Sequence, residues 1–276
     1  MRNSLMRIAQ LLLPGASSYE RKSQRLDAAV LAAQHDLSLI HNASESSGFD
    51  LVHVYGPREL PPALLTAFPL PYVASGTVQK PRFAFRSPRQ PEYSLAPVES
   101  DDFTLLPEAV DERYFDIQRN PTEQVIIGSI DRPGAHNMIE QTIVRIGRFR
   151  DDIHWHLFTH EPEPAELAQL LAWIDPAVAD DDFDGFTAEA LVAGLPVVAS
   201  RTPVNVQRCE QGRTGLLVPP RDPNELVHAI LAALFKPEVA AQRTSAARQT
   251  ASKFRIRQRL RVLAHIYENV TNDRDP

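Results

Sequence analysis

The sequence predicts an α/β protein of two domains, each built around a parallel β-sheet. Apolar, strand-like runs alternate with amphipathic helical segments along most of the chain, which is the order expected when helices cross over between parallel strands. The chain has 276 residues, of which 43% are hydrophobic. A chain of this length buries a substantial core and most simply forms two domains of ordinary size.

The amino-terminal half predicts the first domain, over residues 1–115. Its pattern gives a strand at 7–13, a helix at 19–34, a strand at 50–56, a short helix at 61–68 and a strand at 70–74. Beyond residue 75 the helical pattern fades, and 81–106 is typical of short strands interrupted by prolines. We therefore expect a small amino-terminal domain that ends in a linker at 107–122.

The carboxyl-terminal half predicts a better-defined domain, over residues 116–253. Its pattern gives strands at 124–127, 153–158, 197–199 and 216–218, and helices at 135–149, 165–173, 188–193 and after residue 223. Because strands and helices alternate here, the strands are expected to pair in parallel.

Residues 254–276 predict an amphipathic terminal helix that packs across the domains. Its apolar side chains lie at helical spacing on one stripe: Ile256, Leu260, Leu263, Tyr267 and Val270. No acidic residue occurs between Glu238 and Glu268, whereas several arginines do. The charges fit a solvated face, and the alternative is peripheral contact with an anionic membrane surface.

Composition and charge restrict the class of partner. The formal net charge of −6 and the pI near 5.9 give no electrostatic reason to expect a nucleic-acid partner. The single cysteine, Cys209, cannot form an internal disulfide, which fits a reducing compartment. The apolar run at 8–13 is too short for a signal peptide and is interrupted by Gln10, so a cytoplasmic location is expected.

The most informative segment is DGFTAEALVAGLPVVASRTPVNVQRCEQGRTGLLV, at residues 184–218. Gly185 allows its loop to approach a ligand closely, and Thr187 is a plausible N-cap that places Glu189 in the first helical turn. Gly194 ends this helix, and Pro196 prevents its continuation into the following buried strand. The segment is therefore a compact loop, helix, glycine and strand unit.

The sequences EALVAGLPVVAS at 189–200 and GRTGLLV at 212–218 resemble the retaining glycosyltransferases of the GT-B type, the glycogen synthase and sucrose synthase group. The resemblance implies two Rossmann-like domains facing across a cleft, here with a reduced amino-terminal domain. It also implies a hexosyltransferase-like enzyme that transfers a sugar from a nucleotide-sugar donor to an unknown acceptor with retention of configuration. Neither a metal nor another cofactor is expected.

In the resembled family, two acidic residues separated by seven others bind the donor sugar and the ribose. The second corresponds to Glu189, which would hold the ribose hydroxyls. The first, beside the transferred sugar, is Asp181 by spacing or Asp184 by matching the loop, and both assignments stay open. The loop residues Gly185, Phe186 and Thr187 complete the predicted donor site.

The phosphate site departs from the family pattern. The family has an arginine directly after the glycine that ends a strand, here Gly128, and a lysine five residues later. These positions are Ser129 and Gly134 in this chain. Arg132, in the same loop, is predicted to supply a phosphate contact from a shifted position, and the alternative is an ordinary surface arginine. Proline and valine at 203–204 replace a family pair of glycines.

Three further predictions concern the edges of the sheets. His160 follows a strand at its carboxyl end, where this fold class binds ligands, and is predicted to line the nucleotide site. Gly15 lies in the first strand–helix loop and could approach the donor or acceptor. His154 and His156 share a strand face, and an exposed polar face explains them better than a metal site does.

Two other functions are consistent with these patterns. The missing phosphate-site cations and the small first domain would also fit a noncatalytic relative that serves as a binding or partner-docking module. A nucleotide-sugar epimerase of similar architecture is a third possibility.

Overall fold

The structure is a computed structural model that divides into two compact units. The first consists of Met1–Ala109 together with Ile256–Pro276, and the second of Val110–Arg255. The structure describes residues 5–14, 16, 18–56, 72–76, 93–96, 104–133, 135–178 and 185–272.

The N-terminal unit contains a six-stranded parallel sheet in the order β2-β1-β3-β4-β5-β6. In chain order its elements are β1 (Arg7–Leu12), α1 (Ser18–Leu31), β2 (Asp36–Ile40), β3 (Leu51–Gly56), β4 (Tyr72–Gly76), β5 (Tyr93–Ala96) and β6 (Thr104–Leu105). The predicted strands near 7–13, 50–56 and 70–74 are present, and the predicted helix at 61–68 lies outside the described residues. The strand β2 was not predicted, although its short DLSLI sequence alternates polar and apolar residues as a half-buried strand does.

The C-terminal unit contains a five-stranded parallel sheet in the order β11-β10-β9-β7-β8. In chain order its elements are β7 (Val125–Ile130), α2 (His136–Ile146), β8 (Ile153–Phe158), α3 (Pro164–Gln169), β9 (Ala172–Asp175), α4 (Thr187–Val192), β10 (Val197–Ser200), α5 (Pro203–Arg208), β11 (Leu216–Val218), α6 (Pro223–Phe235) and α7 (Pro237–Thr250). The last helix of the chain, α8 (Ile256–Asn272), belongs to the N-terminal unit.

The central strand β9 corrects the prediction of a helix over 165–173. The helix α3 ends at Gln169, and the next residues turn into a buried four-residue strand. The leucine- and alanine-rich sequence of 165–172 has helical periodicity, and a strand of four residues is too short to override that pattern by itself. Burial between β7 and β10 decides the structure instead.

The core of the C-terminal unit lies on both faces of its sheet. Trp173 of β9 is fully buried on one face with the apolar side chains of α4, and Ile174 is buried on the other face with those of α2 and α6. Tyr114 is also fully buried in this unit, and the Val110 backbone N–H donates to the Phe254 carbonyl at 2.9 Å. The segment after residue 109 is thus packed into the C-terminal unit rather than exposed.

Within the N-terminal unit, the apolar stripe of α8 is buried against the sheet. Leu263, Tyr267 and Val270 pack with Ile8 and Leu51 in one core cluster. Burial of this stripe contributes to stability in proportion to the apolar area removed from water. The apolar stripe of α8 is therefore part of the core of the N-terminal unit.

A buried polar network also joins α8 to this unit. Arg259 of α8 donates two hydrogen bonds to Asp27 of α1, from Nε at 2.6 Å and from Nη2 at 2.8 Å. The Tyr55 hydroxyl donates to the same carboxylate at 2.9 Å. The His53 ring nitrogens lie 2.5 Å from the Tyr267 hydroxyl and 2.7 Å from the Ser75 hydroxyl. Because each buried polar group has partners, the network can lie inside the core.

No helix within the described ranges is both long and apolar enough to span a lipid bilayer.

Candidate functional site

The candidate site lies at the carboxyl edge of the C-terminal sheet. The strands β7, β9 and β10 are parallel neighbours, so their carboxyl ends meet on one edge of the sheet. In open parallel sheets, ligands bind outside this edge, in the loops that follow the strands. Polar side chains of the candidate site lie in the loop after β7, at the end of β9 and at the starts of α4 and α5.

Asp175, the last residue of β9, is the centre of the site. Its side chain is fully buried and accepts hydrogen bonds from three segments of the chain. The Arg132 Nη2 donates to Oδ1 at 2.6 Å, the Thr187 hydroxyl donates to Oδ2 at 2.6 Å, and the Asn205 side-chain amide donates to Oδ2 at 2.9 Å. One carboxylate thus connects the loop after β7 with the starts of α4 and α5.

The surroundings of Asp175 keep it ionised. Burial alone would raise the pKa of this carboxyl, but Arg132, the Thr187 hydroxyl and Arg208 together hold it below its ordinary value. Arg208 is itself buried and donates to the Asn205 side-chain oxygen at 3.3 Å. The site therefore combines a carboxylate with two guanidinium groups.

The turn before α4 is fitted closely to Asp175. A Cβ atom at Gly185 would overlap the Asp175 carboxylate, so only glycine can occupy this position without displacing it. The Gly185 carbonyl accepts a 2.8 Å hydrogen bond from the Trp173 indole. Phe186 has a left-handed backbone (φ 50°) and stands at the N-cap position. Thr187, predicted as the N-cap, is instead the first helical residue, and its hydroxyl donates to Asp175.

Glu189 lies in the first turn of α4, as predicted, and its side chain is fully buried. Tyr114 is close enough that the Glu189 carboxylate affects its ionisation: burial, then Glu161 and Glu189, raise the pKa of the Tyr114 hydroxyl. That hydroxyl donates to the Pro162 carbonyl at 2.7 Å. Tyr114 therefore links the loop after β8 to the neighbourhood of Glu189.

The loop after β7 begins later than predicted. The strand continues to Ile130, so Gly128 lies inside β7 rather than at its end. A Cβ atom at Gly128 would overlap the Leu170 side chain and lie 3.0 Å from the Trp173 ring, which gives this glycine a packing role. Arg132 follows in the loop with its side chain only 10% exposed, bonded to Asp175.

Other predicted site residues lie elsewhere. The His160 side chain follows β8, as expected, but is 60% exposed, with its Nε2 3.6 Å from a Glu166 carboxylate oxygen. Asp181, Asp184 and Gly15 lie outside the described residues, as does Gly134.

The two departures from the family's phosphate pattern have local explanations. Ser129 lies in β7 with its hydroxyl buried and without a hydrogen-bond partner among the described residues. Pro203 is the first residue of α5, a position where a helix has no internal partner for the backbone N–H. Thr202 precedes it as the N-cap and accepts from the Asn205 backbone N–H at 3.4 Å.

Sequence reasoning missed Asp175, Asn205 and Arg208. The sequence at 172–176 is an apolar run that ends in aspartate and proline, but nothing in it indicates partners for Asp175, and the predicted helix over 165–173 covered its start. Asn205 and Arg208 carry no motif of their own. Across the ranges that the structure describes, no group of three or more histidine, cysteine, aspartate or glutamate side chains is arranged to hold a metal ion.

Comparison with protein families identifies the chain. The family model described as glycosyl transferases group 1 matches residues 95–235, more than half of the 276 residues. The chain belongs to the glycosyl transferases group 1 family. The matched range includes the Asp175 site, α4 and β10, and the resemblance seen in the sequence is confirmed. A comparison with curated protein sequences found no match.

Solved structures of other glycosyltransferases have the same fold. A glycosyltransferase from Rickettsia africae ESF-5 matches with a TM-score of 0.75 and 13% identity, over 96% of this chain and 98% of its own. Anabaena Alr3699/HepE, solved with UDP-glucose, matches with a TM-score of 0.72 and 13% identity, over 96% and 100%. Sucrose-phosphate synthase from Thermosynechococcus elongatus matches with a TM-score of 0.69 and 11% identity, over 97% and 100%. The predicted α/β fold of GT-B type is confirmed.

Proposed function

We propose that this group 1 family member is an active glycosyltransferase that moves a sugar from a nucleotide-sugar donor to an acceptor, with retention of configuration. The observation that carries the proposal is the cluster around Asp175, which holds Arg132 at the carboxyl edge of the C-terminal sheet. The same carboxylate accepts from Thr187 at the start of α4, which bears the family sequence. The cluster is thus adjacent to the motif that predicted a donor site.

The chemistry requires positive charge at the leaving diphosphate. Glycosyl transfer leaves a nucleoside diphosphate, and preorganised donors in a site shielded from water stabilise this developing charge. Arg132 would supply a planar fork of N–H donors that suits phosphate oxygens. In this proposal, Arg132 takes over the task of the family cations that Ser129 and Gly134 replace.

The donor's ribose and sugar would contact acidic residues. Glu189 would accept hydrogen bonds from the ribose hydroxyls, and Asp184 or Asp181 would lie beside the transferred sugar. Because Glu189 is fully buried in the described structure, its carboxylate can reach a ribose only if donor binding uncovers it. The replacement of choice is therefore Glu189→Gln, which preserves the side-chain volume.

The nature of the donor is proposed by class only. The HepE structure contains UDP-glucose, which makes UDP the first nucleotide to test. We propose metal-independent transfer and a cytoplasmic location, the latter because one cysteine allows no internal disulfide. Membrane contact through α8 is not part of the proposal, because its apolar stripe is buried within the N-terminal unit.

Calorimetric titration with UDP, GDP and ADP, with and without EDTA, tests the proposal. One nucleotide should bind, and EDTA should leave its affinity unchanged. Glu189→Gln should weaken binding of that nucleotide and reduce the preference of the protein for it over its 2′-deoxy form. Glu140→Gln, at an exposed position of α2, should change neither the affinity nor the preference. Incubation with the matching nucleotide sugar, followed by NMR of the product's anomeric carbon, tests retention. Failure of all three nucleotides to bind would favour the noncatalytic module.

A further inference from the structure

Packing does not explain why the residue at position 175 carries a carboxylate. It ends a strand whose three preceding residues are apolar and fully buried. A buried ion pair is weak evidence for stabilisation, since well-packed apolar residues of similar volume often do as well or better. A charged residue at this position therefore calls for a reason other than packing.

The bonds of Asp175 suggest that reason. Its partners Arg132, Thr187 and Asn205 lie 43, 12 and 30 residues away in sequence. Each belongs to a segment that follows a strand, so all three lie at the carboxyl edge of the sheet. Gly185 packs directly over the carboxylate, which no side chain would permit. The carboxylate thus fixes three loop segments against one another.

Among these partners, Arg132 is the cation that the donor site needs. An arginine side chain has several rotatable bonds, and ordering it costs conformational entropy. An arginine already fixed by a carboxylate on one edge of its guanidinium meets a phosphate with less of that cost. The 2.6 Å bond to Asp175 and the low exposure of Arg132 are consistent with such preorganisation.

We propose that Asp175 is a positioning residue for the donor diphosphate: it holds Arg132 and the turn at Gly185–Thr187 in the geometry that binds the phosphates. It does not itself touch the donor. The inference rests on the proposed function and adds to it a residue that neither the family motif nor the sequence pattern indicates.

The experiment compares a nucleotide with its nucleoside. Calorimetry gives the Kd of UDP, and NMR titration gives that of uridine, which lacks both phosphates. Asp175→Asn should raise the Kd of UDP by about 10-fold or more, which is the size expected for a charge-assisted hydrogen bond. It should change the Kd of uridine much less. The ratio of the uridine Kd to the UDP Kd should therefore fall. A merely structural role would weaken both ligands alike.

A double-mutant comparison tests the route through Arg132. Arg132→Ala should lower the same ratio, and adding Asp175→Asn to it should lower the ratio no further. Asp152→Asn is the matched control, because Asp152 also bonds an arginine, Arg150, at 2.6 Å, but precedes β8 at the opposite edge of the sheet. It should leave the ratio unchanged.

If Asp175→Asn does not fold, Thr187→Val replaces it. This change removes one hydroxyl donor to Asp175 at nearly constant volume and should lower the ratio in the same direction by a smaller factor.

The outcomes separate the inference from the proposed function. If the wild type binds UDP but the variants have the same Kd ratio as the wild type, the inference is overturned and the proposed function stands. The same holds if Asp175→Asn lowers the Kd of UDP, because the carboxylate would then compete with the phosphates for Arg132. If the wild type binds GDP or ADP instead, the same comparison is made with guanosine or adenosine. If it binds none of the three, both fail.

Discussion

Each unit of this protein contains a buried aspartate–arginine ion pair, and the two pairs differ in how they are built. In the N-terminal unit, Arg259 makes two hydrogen bonds to Asp27, and the side chains are 1% and 0% exposed. In the C-terminal unit, the Arg132 Nη2 donates to the Asp175 Oδ1 from a loop at the sheet edge, and the Arg132 side chain retains 10% exposure. The first pair joins two long helices, and the second joins a loop to the end of a strand.

Under the proposed function, the difference separates a pair that stabilises the fold from a pair that holds a ligand-binding arginine. Asp27 lies in α1 and Arg259 in α8, so their bonds connect helices that already bury apolar faces in the same core. Asp175 connects the loop after β7 with the first turns of α4 and α5, at the edge of the sheet where folds of this class bind ligands. We therefore expect changes at the first pair to affect stability, and changes at the second to affect ligand affinity.

The largest expected effect is that of Arg259→Ala on the stability of the N-terminal unit. Removing one partner leaves the Asp27 carboxylate buried without its cation, which costs about 3–5 kcal/mol. Urea unfolding followed by far-UV circular dichroism should show this loss. Both tryptophans, Trp155 and Trp173, lie in the C-terminal unit, so their fluorescence follows that unit separately.

Two variants serve as controls for Arg259→Ala. Arg7→Ala removes a pair with Asp50 that is largely exposed, and should cost less than about 1 kcal/mol. The double replacement of Asp27 by leucine and Arg259 by methionine should recover much of the lost stability, because no buried charge is then left alone. If Arg259→Ala leaves the urea midpoint of the circular dichroism transition unchanged, the Asp27–Arg259 pair does not stabilise the unit.

Gly185→Ala should have an intermediate effect, and at the other pair. The added methyl group would overlap the Asp175 carboxylate, and overpacking of this kind costs about 1–3 kcal/mol. Displacing the carboxylate should also weaken UDP binding, measured by calorimetry, in the same direction as Asp175→Asn. Gly147→Ala is the control, since Gly147 has helical backbone angles at the end of α2. Equal nucleotide affinity in the two alanine variants would contradict a role for the Gly185 turn.

Much of this fold is predictable because buried parallel strands have strong local signals. The mainly apolar runs of β1, β3 and β10 and the alternating pattern of β8 are each recognisable without their neighbours. The strand β9 is not, because its four residues follow a helical pattern and its pairing with β7 and β10 is a property of the whole sheet.

Part of the candidate site was indicated by the sequence in the same way. Arg132 was predicted from its loop, and Gly185, Thr187 and Glu189 from the family motif. The structure has all four after β7 or β9, and their contacts with a donor stay predictions. Asp175 has no such signal, since its meaning depends on three donors from separate parts of the chain. A residue whose role is to connect segments cannot be recognised from any one of them.

The smallest expected effect concerns pH and again distinguishes the two units. Burial, with a contribution from Arg259, holds the pKa of His53 well below its ordinary value of 6.5, so the folded N-terminal unit keeps this ring neutral. Below a pH of about 6.5 the unfolded chain takes up a proton at His53 that the folded chain does not. The free energy of unfolding should therefore fall as the pH decreases from 6.5, by at most about 1.4 kcal/mol per pH unit from this residue.

Urea unfolding of the wild type and of His53→Gln between pH 5.5 and 7.5 would measure this contribution, because the variant lacks the titrating ring. His35, whose pKa burial also lowers, adds to the wild-type slope in the same direction and persists in His53→Gln. His154→Gln, at an exposed position of β8, is the control for replacing a histidine by glutamine outside the N-terminal unit. Identical slopes for wild type and His53→Gln would mean that the polar network around Tyr55 and Tyr267 accommodates a charged imidazole.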